Sequence, residues 1–328
     1  MSSLPERLFR RSRSTPMEGP DWTIALAGGE GNRLADYVQH RFGQRMPKQF
    51  CRLLGQRSML EHTLDRLNQQ TPPSRTLAII GTDHLRWATP QLEGRCDHVF
   101  RQPSSRETGT ALYVALAMLQ RWSPEAIVTV TPTDHYVAPA SRYLAEIARA
   151  RALAGRNRDK VVLVGAQPGE ADPELGYVSL GPSREVGAHA VTAFVEKPNA
   201  QRANELVAEG ALWNTMVCCG SVQAFWELGR AGVPALIELL EYLVPLIETD
   251  DEDAALTAVY SLAPVVGFSR EILARSPERL LATKLVGVEW NDWGRADRIE
   301  ATLSRRRARV ARALDTVALD PVSLASAS

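Results

Sequence analysis

Apolar and polar positions alternate regularly from residue 22 onward, with short apolar runs separated by stretches of helical period. The apolar runs predict strands at residues 23–26, 77–81, 126–130 and 161–165. The helical periods predict helices at residues 58–67, around Leu112, Ala115, Leu116 and Leu119, and at residues 143–154. Short buried strands that alternate with helices are typical of βαβ units. The pattern therefore predicts an α/β fold with a Rossmann-like mixed, mostly parallel sheet that is flanked by helices.

The alternation changes in the second half of the chain. Residues 176–181 and 191–195 resemble strands without an intervening helix, which indicates a hairpin or a mixed-sheet insertion. Residues 221–280 are mainly helical, a strand follows within 281–288, and a last helix covers residues 295–314. The arginine run at its centre, Arg305 to Arg307, is expected to be a solvated helix face. The C-terminal part is therefore predicted to be small and helical.

The ends of the chain differ from this central region in composition. Residues 1–20 are polar and basic, have no apolar period, and are predicted to form a disordered tail. No apolar stretch follows their arginines, which argues against an export signal, and either Met1 or Met17 could be the true start. The predicted organisation is this tail, one domain over residues 21–304, and a helix end with a tail over residues 305–328.

Net charge and cysteine content narrow the functional classes. The 328 residues contain 38 Lys plus Arg and 38 Asp plus Glu, so the formal net charge is zero. That balance provides no electrostatic footprint for nucleic acid or an anionic membrane. No apolar run approaches the roughly 20 residues that a membrane span needs. The four cysteines have no paired metal spacing and are expected to be small buried residues, so the cytoplasm is the predicted location.

A glycine-rich loop, Ala-Gly-Gly-Glu-Gly-Asn-Arg, follows the first strand at residues 27–33. A dinucleotide fingerprint would need a third glycine where Leu34 stands, and a Walker loop would need a Gly-Lys pair that the chain lacks. A plain strand-to-helix turn would explain only one of the glycines. A loop whose backbone N–H groups surround a triphosphate explains them all. Its candidate nucleotide-binding positions are Ala27, Gly28, Gly29 and Gly31.

Two basic side chains extend this nucleotide-binding hypothesis. Arg33 ends the loop and can donate two hydrogen bonds to a phosphate. Lys48 lies in Met46-Pro47-Lys48, which is expected to be extended because proline disfavours helix in the residue before it. We expect Lys48 to reach the same phosphates, so Arg33 and Lys48 are both candidate nucleotide-binding and catalytic residues.

These residues resemble the sugar-phosphate nucleotidyltransferase superfamily, and most nearly its mannose-1-phosphate guanylyltransferase branch. That branch has Leu-Ala-Gly-Gly-x-Gly-x-Arg-Leu and a later Pro-Lys-Gln-Phe, which stand here at residues 26–34 and 47–50. The resemblance extends over residues 22–303 and implies a fold of the nucleotide-diphospho-sugar transferase type. Too few residues follow for the β-helix or the isomerase-like domain of some members, so a stand-alone transferase is expected.

A metal site is predicted from two aspartates. Asp134 follows an apolar strand, at the end of the strand where α/β sheets bind ligands. The resemblance implies that Asp134, in Thr-Asp-His, binds Mg²⁺, and that Asp292, in Trp-Asn-Asp-Trp-Gly, is the second ligand. Magnesium usually takes one or two carboxylates plus substrate phosphates. His135 is expected to be a structural hydrogen-bonding residue.

The resemblance also implies residues that bind the acceptor, the sugar 1-phosphate. Phe-Val-Glu-Lys-Pro at residues 194–198 matches the family motif fully, which implies that Lys197 holds the sugar phosphate as a catalytic residue and Glu196 a sugar hydroxyl. Asn214 and Gly176 are the other candidate substrate-binding residues. Two departures put the acceptor in doubt, since Met216 and Val178 stand where the family has glycines. Gly109, within residues 106–111, is the candidate for the wall that binds the base.

The predicted reaction joins a nucleoside triphosphate, with GTP favoured, to a sugar 1-phosphate, with mannose 1-phosphate favoured, and releases pyrophosphate. The resemblance implies Mg²⁺ as the cofactor and these two substrates as partners, without nucleic acid or membrane, and allows a homodimer. Two alternatives remain open. One is a catalytically weak regulatory subunit that binds nucleotide sugars, and the other is nucleotidyl transfer to another sugar or phosphorylated acceptor.

Overall fold

The computed structural model describes residues 9–11 and 21–318, with side chains from residue 21 to residue 311. The strands are β1 (Phe9–Arg11), β2 (Asp21–Ala27), β3 (Thr76–Gly81), β4 (His98–Gln102), β5 (Ile127–Pro132), β6 (Tyr136–Ala138), β7 (Val161–Ala166), β8 (Gly176–Glu185), β9 (Ala188–Glu196), β10 (Leu212–Ser221), β11 (Leu280–Lys284) and β12 (Glu289–Asn291). The α-helices are α1 (Ala35–Phe42), α2 (Met59–Leu67), α3 (Leu85–Leu92), α4 (Glu107–Trp122), α5 (Ala140–Arg156), α6 (Ala200–Ala208), α7 (Val222–Gly232), α8 (Pro234–Leu243), α9 (Glu252–Leu262) and α10 (Ala296–Ala318).

Ten of the strands form one sheet in the order β1-β4-β3-β2-β5-β10-β7-β11-β9-β8. The pairs β4–β3, β3–β2, β2–β5 and β7–β11 are parallel, and the other pairs are antiparallel. The predicted mixed α/β sheet is therefore confirmed, but parallel pairing is less extensive than predicted. The difference arises because β8 and β9 form the expected hairpin and β10 runs antiparallel between β5 and β7.

The helices cover both faces of this sheet. On one face, α4 is apolar around its whole circumference and packs in a core with α7, α8 and α9. On the other face, the apolar side of α5 packs over β5, β7 and β10. The predicted small buried role of the cysteines is confirmed, because all four are buried and free. Within the described residues, no helix has both the length and the apolar composition needed to cross a membrane.

The start of α2 shows how local sequence sets an element boundary. The Ser58 hydroxyl accepts a hydrogen bond from the Glu61 backbone N–H, and the Glu61 carboxylate accepts one from the Ser58 N–H. This capping box satisfies two of the N–H groups that the first turn of a helix leaves unpaired. The helix predicted at residues 58–67 is confirmed, with Ser58 as its N-cap.

The ends of the chain depart from the predicted organisation in one respect. Within the predicted disordered tail, Phe9–Arg11 forms strand β1, which pairs antiparallel with β4 at the edge of the sheet. The disorder prediction is therefore wrong for these three residues, because β4 offers them an unpaired edge. Residues 1–8, 12–20 and 319–328, including Met17, lie outside the described residues. The last helix extends from Ala296 to Ala318.

A separate two-stranded ribbon, β6 with β12, lies beyond the end of β5. The two strands are antiparallel, with Tyr136 opposite Asn291 and Val137 opposite Trp290. Trp293, just after β12, is fully buried and stacks on Tyr136 with ring centroids 5.2 Å apart. The ribbon therefore fixes the chain segment after β5 against the segment before α10.

Candidate active site

A cleft of about 500 Å³ opens where β2 and β5 end. It is lined by the glycine loop after β2, by Asp134 after β5, and by Glu196 and Lys197 at the end of β9, and β5 lies between β2 and β9 in the sheet. The residues with polar side chains that line it are Glu30, Arg33, Gln49, Gln102, Ser105, Glu107, Thr108, Asp134, Glu196, Lys197, Ser269 and Arg270. The cleft thus lies at the carboxyl ends of parallel strands, where α/β sheets bind ligands.

Three glycines give the loop its shape for different reasons. A Cβ on Gly28 would lie 2.1 Å from Gln102 Nε2, so a side chain here would displace the end of Gln102. Gly31 has φ 68° and packs on the backbone of Pro47 and Lys48, where a side chain would be strained. A Cβ on Gly29 would meet no described atom within 4 Å, because this backbone faces the cleft.

The loop is held in place by Gln49. Its Nε2 donates hydrogen bonds to the carbonyl oxygens of Ala27, at 2.9 Å, and of Gly29, at 2.8 Å. With both carbonyl groups bound by one side chain, Ala27 and Gly29 are held in one orientation. Gln49 is part of the Pro-Lys-Gln-Phe motif, but sequence reasoning gave it no role. Only the fold shows that the second half of the motif fastens the first.

Lys48 has a different environment from the one predicted. Its side chain is buried and does not line the cleft. Its ammonium donates to the carbonyl oxygens of Asp292, at 2.5 Å, and Trp293, at 3.1 Å, and lies 3.0 Å from Asp134 Oδ2. Lys48 therefore connects the Asp134 carboxylate to the backbone that carries Asp292, and the predicted contact between Lys48 and phosphate stays a prediction.

Asp134 lines the cleft and is bound by the Lys48 ammonium. Burial alone would raise the pKa of its carboxyl, but the charge and hydrogen bond of the Lys48 ammonium oppose burial, and that pKa lies below its usual value. Burial lowers the pKa of His135, which therefore stays neutral near pH 7. His135 Nδ1 accepts a hydrogen bond from Trp290 Nε1 at 3.3 Å, which agrees with the structural role expected for it.

The second predicted ligand lies on the same ribbon. Asp134 precedes β6 by two residues and Asp292 directly follows β12, so strand pairing brings the two motifs together. The Asp292 side chain is buried and accepts a hydrogen bond from Arg298 Nη1 at 3.1 Å. A Cβ on Gly294 would lie 2.4 Å from Asp292 Oδ2, so the glycine after Trp293 makes room for this carboxylate.

The donor chemistry at the ribbon suits magnesium that arrives with its substrate. Within the described part of the chain, no group of three or more His, Cys, Asp or Glu side chains could hold a metal. Two aspartates could not enclose an ion alone, but Mg²⁺ commonly takes one or two carboxylates and completes its shell with phosphate oxygens and water. Asp134 lines the cleft and fits that requirement, whereas the Asp292 carboxylate does not line it and is paired with Arg298, so the role of Asp292 as second ligand stays a prediction.

Arg33 lies at the mouth of the cleft, as the loop motif predicts. Its guanidinium is exposed and pairs with Glu174 at 3.1 Å. An ion pair between two exposed side chains typically contributes less than about 1 kcal/mol. A phosphate could therefore displace Glu174 from Arg33 at little cost.

The acceptor side of the cleft is built at the end of the β8–β9 hairpin. Gly176 lies opposite Glu196, and a Cβ there would lie 2.7 Å from Glu196 Oε2, so Gly176 makes room for this carboxylate. Burial raises the pKa of Glu196, although Lys197, Arg270 and Ser269 oppose that effect. Lys197 lines the cleft with φ 47°, an unusual conformation that commonly marks functional positions.

Asn214 does not line the cleft, because the Met216 side chain lies between Asn214 and the cleft. Met216 has φ 59° in a bulge of β10, and its side chain lines the cleft. Its sulfur accepts hydrogen bonds from Asn214 Nδ2, at 3.2 Å, and from Ser269 Oγ, at 3.3 Å. The residue that replaces a glycine of the family thus keeps the left-handed backbone and covers the predicted sugar-binding amide.

Gly109 lies behind the predicted base wall. Its N–H donates to the Val266 carbonyl at 2.8 Å, and a Cβ would lie 2.6 Å from that oxygen, so Gly109 allows close packing of α4. The neighbouring Glu107 and Thr108 line the cleft instead. Gln102 lines it too, and its side chain accepts a hydrogen bond from Tyr260. Its place at the carboxyl end of β4 was the sequence signal that could have identified it.

Comparison with known proteins places these features in a family. Residues 22–304 match the family model described as Nucleotidyl transferase. The chain is 26% identical over 279 residues to the xanthan biosynthesis protein XanB of Xanthomonas campestris pv. campestris (strain B100), covering 83% of this chain and 57% of that protein. It is 26% identical over 292 residues to mannose-1-phosphate guanylyltransferase of Escherichia coli (strain K12), covering 83% and 58% respectively.

A solved structure gives the same result. The crystal structure described as mannose-1-phosphate geranyltransferase of Thermus thermophilus superposes with a TM-score of 0.73 at 28% identity, covering 84% of this chain and 77% of that one. The chain spans somewhat more than half the length of the relatives that it matches in sequence. Because the family model covers most of the chain, and the glycine loop, Asp134 and Lys197 share one cleft, this protein belongs to the nucleotidyl transferase family.

Proposed function

We propose that this chain transfers the nucleotidyl group of a nucleoside triphosphate to a sugar 1-phosphate, with GTP and mannose 1-phosphate as the favoured pair. The observation that carries the proposal is that one cleft is lined by the glycine loop, Asp134 and Lys197. A loop for phosphates, a carboxylate for a metal and a cation for a second phosphate are the groups that this transfer requires. Relatives named for mannose-1-phosphate guanylyl transfer support the choice of substrates.

The triphosphate half of the proposed site uses a fixed backbone and one exposed side chain. Gln49 binds the carbonyl groups of Ala27 and Gly29, so these oxygens are already paired and the loop can offer its N–H groups to phosphate oxygens. Arg33 would leave Glu174 and stabilise the charge that develops on the departing pyrophosphate. Gln102, beside Gly28, would lie near the base.

Asp134 and Asp292 would hold Mg²⁺. When bound there, the ion would neutralise charge on the α-phosphate and on the incoming phosphate. Lys48 keeps the Asp134 carboxyl ionised at neutral pH and fixes it against the Asp292 backbone. Lys48 thus acts in this proposal as a positioning residue rather than as a phosphate ligand.

The chemical step needs alignment more than acid–base catalysis. An oxygen of the sugar 1-phosphate, already ionised at neutral pH, attacks the α-phosphorus and forms a new P–O bond. The bond between the α-phosphorus and the bridging oxygen breaks, and pyrophosphate leaves. Lys197 would orient the attacking phosphate, and Glu196 would accept a hydrogen bond from a sugar hydroxyl. Bringing two anions together in line is then the main contribution of the protein.

A substrate matrix tests the proposal directly. The four common nucleoside triphosphates are each combined with several sugar 1-phosphates and Mg²⁺, and pyrophosphate release is measured. We expect GTP with mannose 1-phosphate to be among the fastest pairs. Pyrophosphate release only with another pair would contradict GTP and mannose 1-phosphate as the substrates. No release with any pair would contradict the transferase proposal.

The position of the Met216 side chain favours the two alternative functions, a regulatory subunit and transfer to another acceptor. Because its side chain covers Asn214, the site could bind a nucleotide sugar without turnover, or could accept a smaller phosphorylated compound. A regulatory subunit would bind GTP or a GDP-sugar in the matrix without releasing pyrophosphate. A different acceptor, such as a phosphorylated alcohol, would release pyrophosphate only when it replaces the sugar 1-phosphate.

We expect Met216→Gly to raise kcat/KM for hexose 1-phosphates on the order of tenfold, because it opens the pocket and frees Asn214. The φ of 59° suits glycine, so relief of strain of about 1 kcal/mol offsets part of the lost packing. Met216→Leu is the matched control, since it removes the sulfur acceptor but keeps the volume. Equal gains in both variants would show that the hydrogen bond, not the space, limits the acceptor.

A further inference from the structure

A second cavity lies on the other side of the ribbon from the cleft. Its volume is about 1160 Å³, and its walls come from residues 52–59, from α2, from β6 with the residues that flank it, and from α10. Asp134 lines the cleft, whereas the next residue, His135, lines this cavity. Neither the triphosphate nor the acceptor of the proposed reaction uses this space.

The cavity is strongly basic. One carboxylate, Asp65, is among the residues that line it, against six arginines: Arg41, Arg52, Arg57, Arg66, Arg306 and Arg307. In the described part of the chain, no carboxylate lies within ion-pairing distance of Arg52, Arg66, Arg306 or Arg307. This concentration of unneutralised guanidinium groups is unusual in a chain whose formal net charge is zero.

Among the described side chains of α10, the arginines that have no ion pair are the ones that line the cavity. Leu303, Arg306, Arg307, Val310 and Ala311 line the cavity, with the spacing of one helix face. Their neighbours Arg305 and Arg309 are not among the lining residues and pair with Glu289 at 3.1 and 3.3 Å. Arg305 and Arg309 are therefore neutralised, whereas Arg306 and Arg307, which line the cavity, have no carboxylate partner among the described side chains.

Arg66 supplies an independent observation from the opposite wall. Its Nε is buried and donates to no acceptor among the described residues, although Nη2 donates to Thr63 at 3.1 Å. Its guanidinium lies 5.0 Å from the centre of the Tyr143 ring, which fixes it without neutralising it. A buried donor without a partner costs stability, and a bound anion at this wall is one way to compensate for that cost.

We propose that this cavity is a second anion site, which binds a small molecule carrying a phosphate or diphosphate group. Arginine forms paired, charge-assisted hydrogen bonds with phosphate oxygens, and the cavity offers several such donors on facing walls. The apolar side chains of Leu53, Met59 and Val310 lie among them, so the rest of the ligand can be apolar or planar. The site depends on residues 52–57, 66, 306 and 307, and not on the proposed reaction.

Hydrogen–deuterium exchange with inorganic pyrophosphate as the probe tests this site separately from the cleft. We expect pyrophosphate to slow exchange in the exposed loop at residues 52–57, in addition to any effect at residues 28–33. In Arg306→Ala/Arg307→Ala, the concentration needed to protect residues 52–57 should rise at least about tenfold, because two charged donors are lost. Protection at residues 28–33 should be unchanged.

The double variant Arg305→Ala/Arg309→Ala is the matched control, with the same helix, residue type and loss of charge. It should keep the protection of residues 52–57. Failure of pyrophosphate and of GDP to protect these residues in the wild-type protein, or equal loss in both double variants, would overturn the proposal. Equal protection by the two compounds assigns the site to the diphosphate, and tighter protection by GDP assigns it to a nucleoside diphosphate. If pyrophosphate and GDP protected residues 52–57 but not residues 28–33 of the wild-type protein, the result would instead contradict the proposed function.

Discussion

Asp134→Ala is expected to reduce pyrophosphate release at least about 100-fold while the protein stays folded. Asp134 lines the same cleft as the glycine loop and Lys197, and the proposal assigns it as a metal ligand. Loss of one electrostatic contact to the transition state typically costs two to three orders of magnitude. The side chain is about one-third exposed, so water can fill the space that it leaves.

The rate of pyrophosphate release is measured with GTP and mannose 1-phosphate, or with the fastest pair of the substrate matrix. Folding is checked by the urea midpoint, and Lys48 keeps two backbone acceptors in the variant. Asp36→Ala is the matched control, since Asp36 is a fully exposed aspartate on α1 that does not line the cleft. A rate within a few-fold of the wild-type rate would contradict the metal assignment.

Lys48→Met is expected to lower the free energy of unfolding by about 2–4 kcal/mol at pH 7, because it removes one partner of a buried pair. Its ammonium is bound by the Asp134 carboxylate and by two backbone carbonyl oxygens, all of which lose their donor. The range lies slightly below that of fully buried pairs because Asp134 is partly hydrated. Turnover should fall as well, since the metal ligands lose their relative position.

The pH dependence of this loss has a definite sign. In the folded protein the pKa of Asp134 is lowered, so its contribution to stability is present above the pKa of the unfolded chain and is lost as the pH falls through the folded value. The difference in unfolding free energy between wild type and Lys48→Met should therefore be largest near neutral pH and shrink below about pH 4. Urea titrations at several pH values measure it.

Lys160→Met is the matched control for Lys48→Met. Lys160 is partly exposed, pairs with Asp159 at 3.2 Å and is remote from the cleft, so its loss should change the unfolding free energy by less than about 1 kcal/mol. If Lys48→Met instead kept its stability and lost only affinity for the triphosphate, Lys48 would be a phosphate ligand, as the sequence motif suggested.

The elements that could be predicted from the sequence are those whose signals are local. The glycine loop after β2 and the capping box of α2 each depend on a few adjacent residues. The direction of β10 could not be predicted, because an apolar run gives no information on which neighbours it pairs with. The β8–β9 hairpin was predictable, since no helix separates its strands.

The site was predicted best where a motif faces the cleft. Asp134 and Lys197 line it, whereas Lys48 and Asn214 are turned to other partners by contacts that form only in the folded chain. Arg270 and Gln102 line the cleft without belonging to a motif that sequence reasoning used for the site. Their importance depends on how distant elements pack, which the spacing of residues along the chain does not report.

The Lys48 contact with the Asp292 carbonyl joins residues that are 244 positions apart. The entropy cost of closing a loop must be met before a contact of such separation contributes stability, so we expect this contact to form after the local structure on both sides. Early in folding, the glycine loop and α2 can form while the second aspartate is still remote. The catalytic centre would thus be completed late in folding, and a brief undocking of β12 would suspend catalysis while the ten-stranded sheet remains intact.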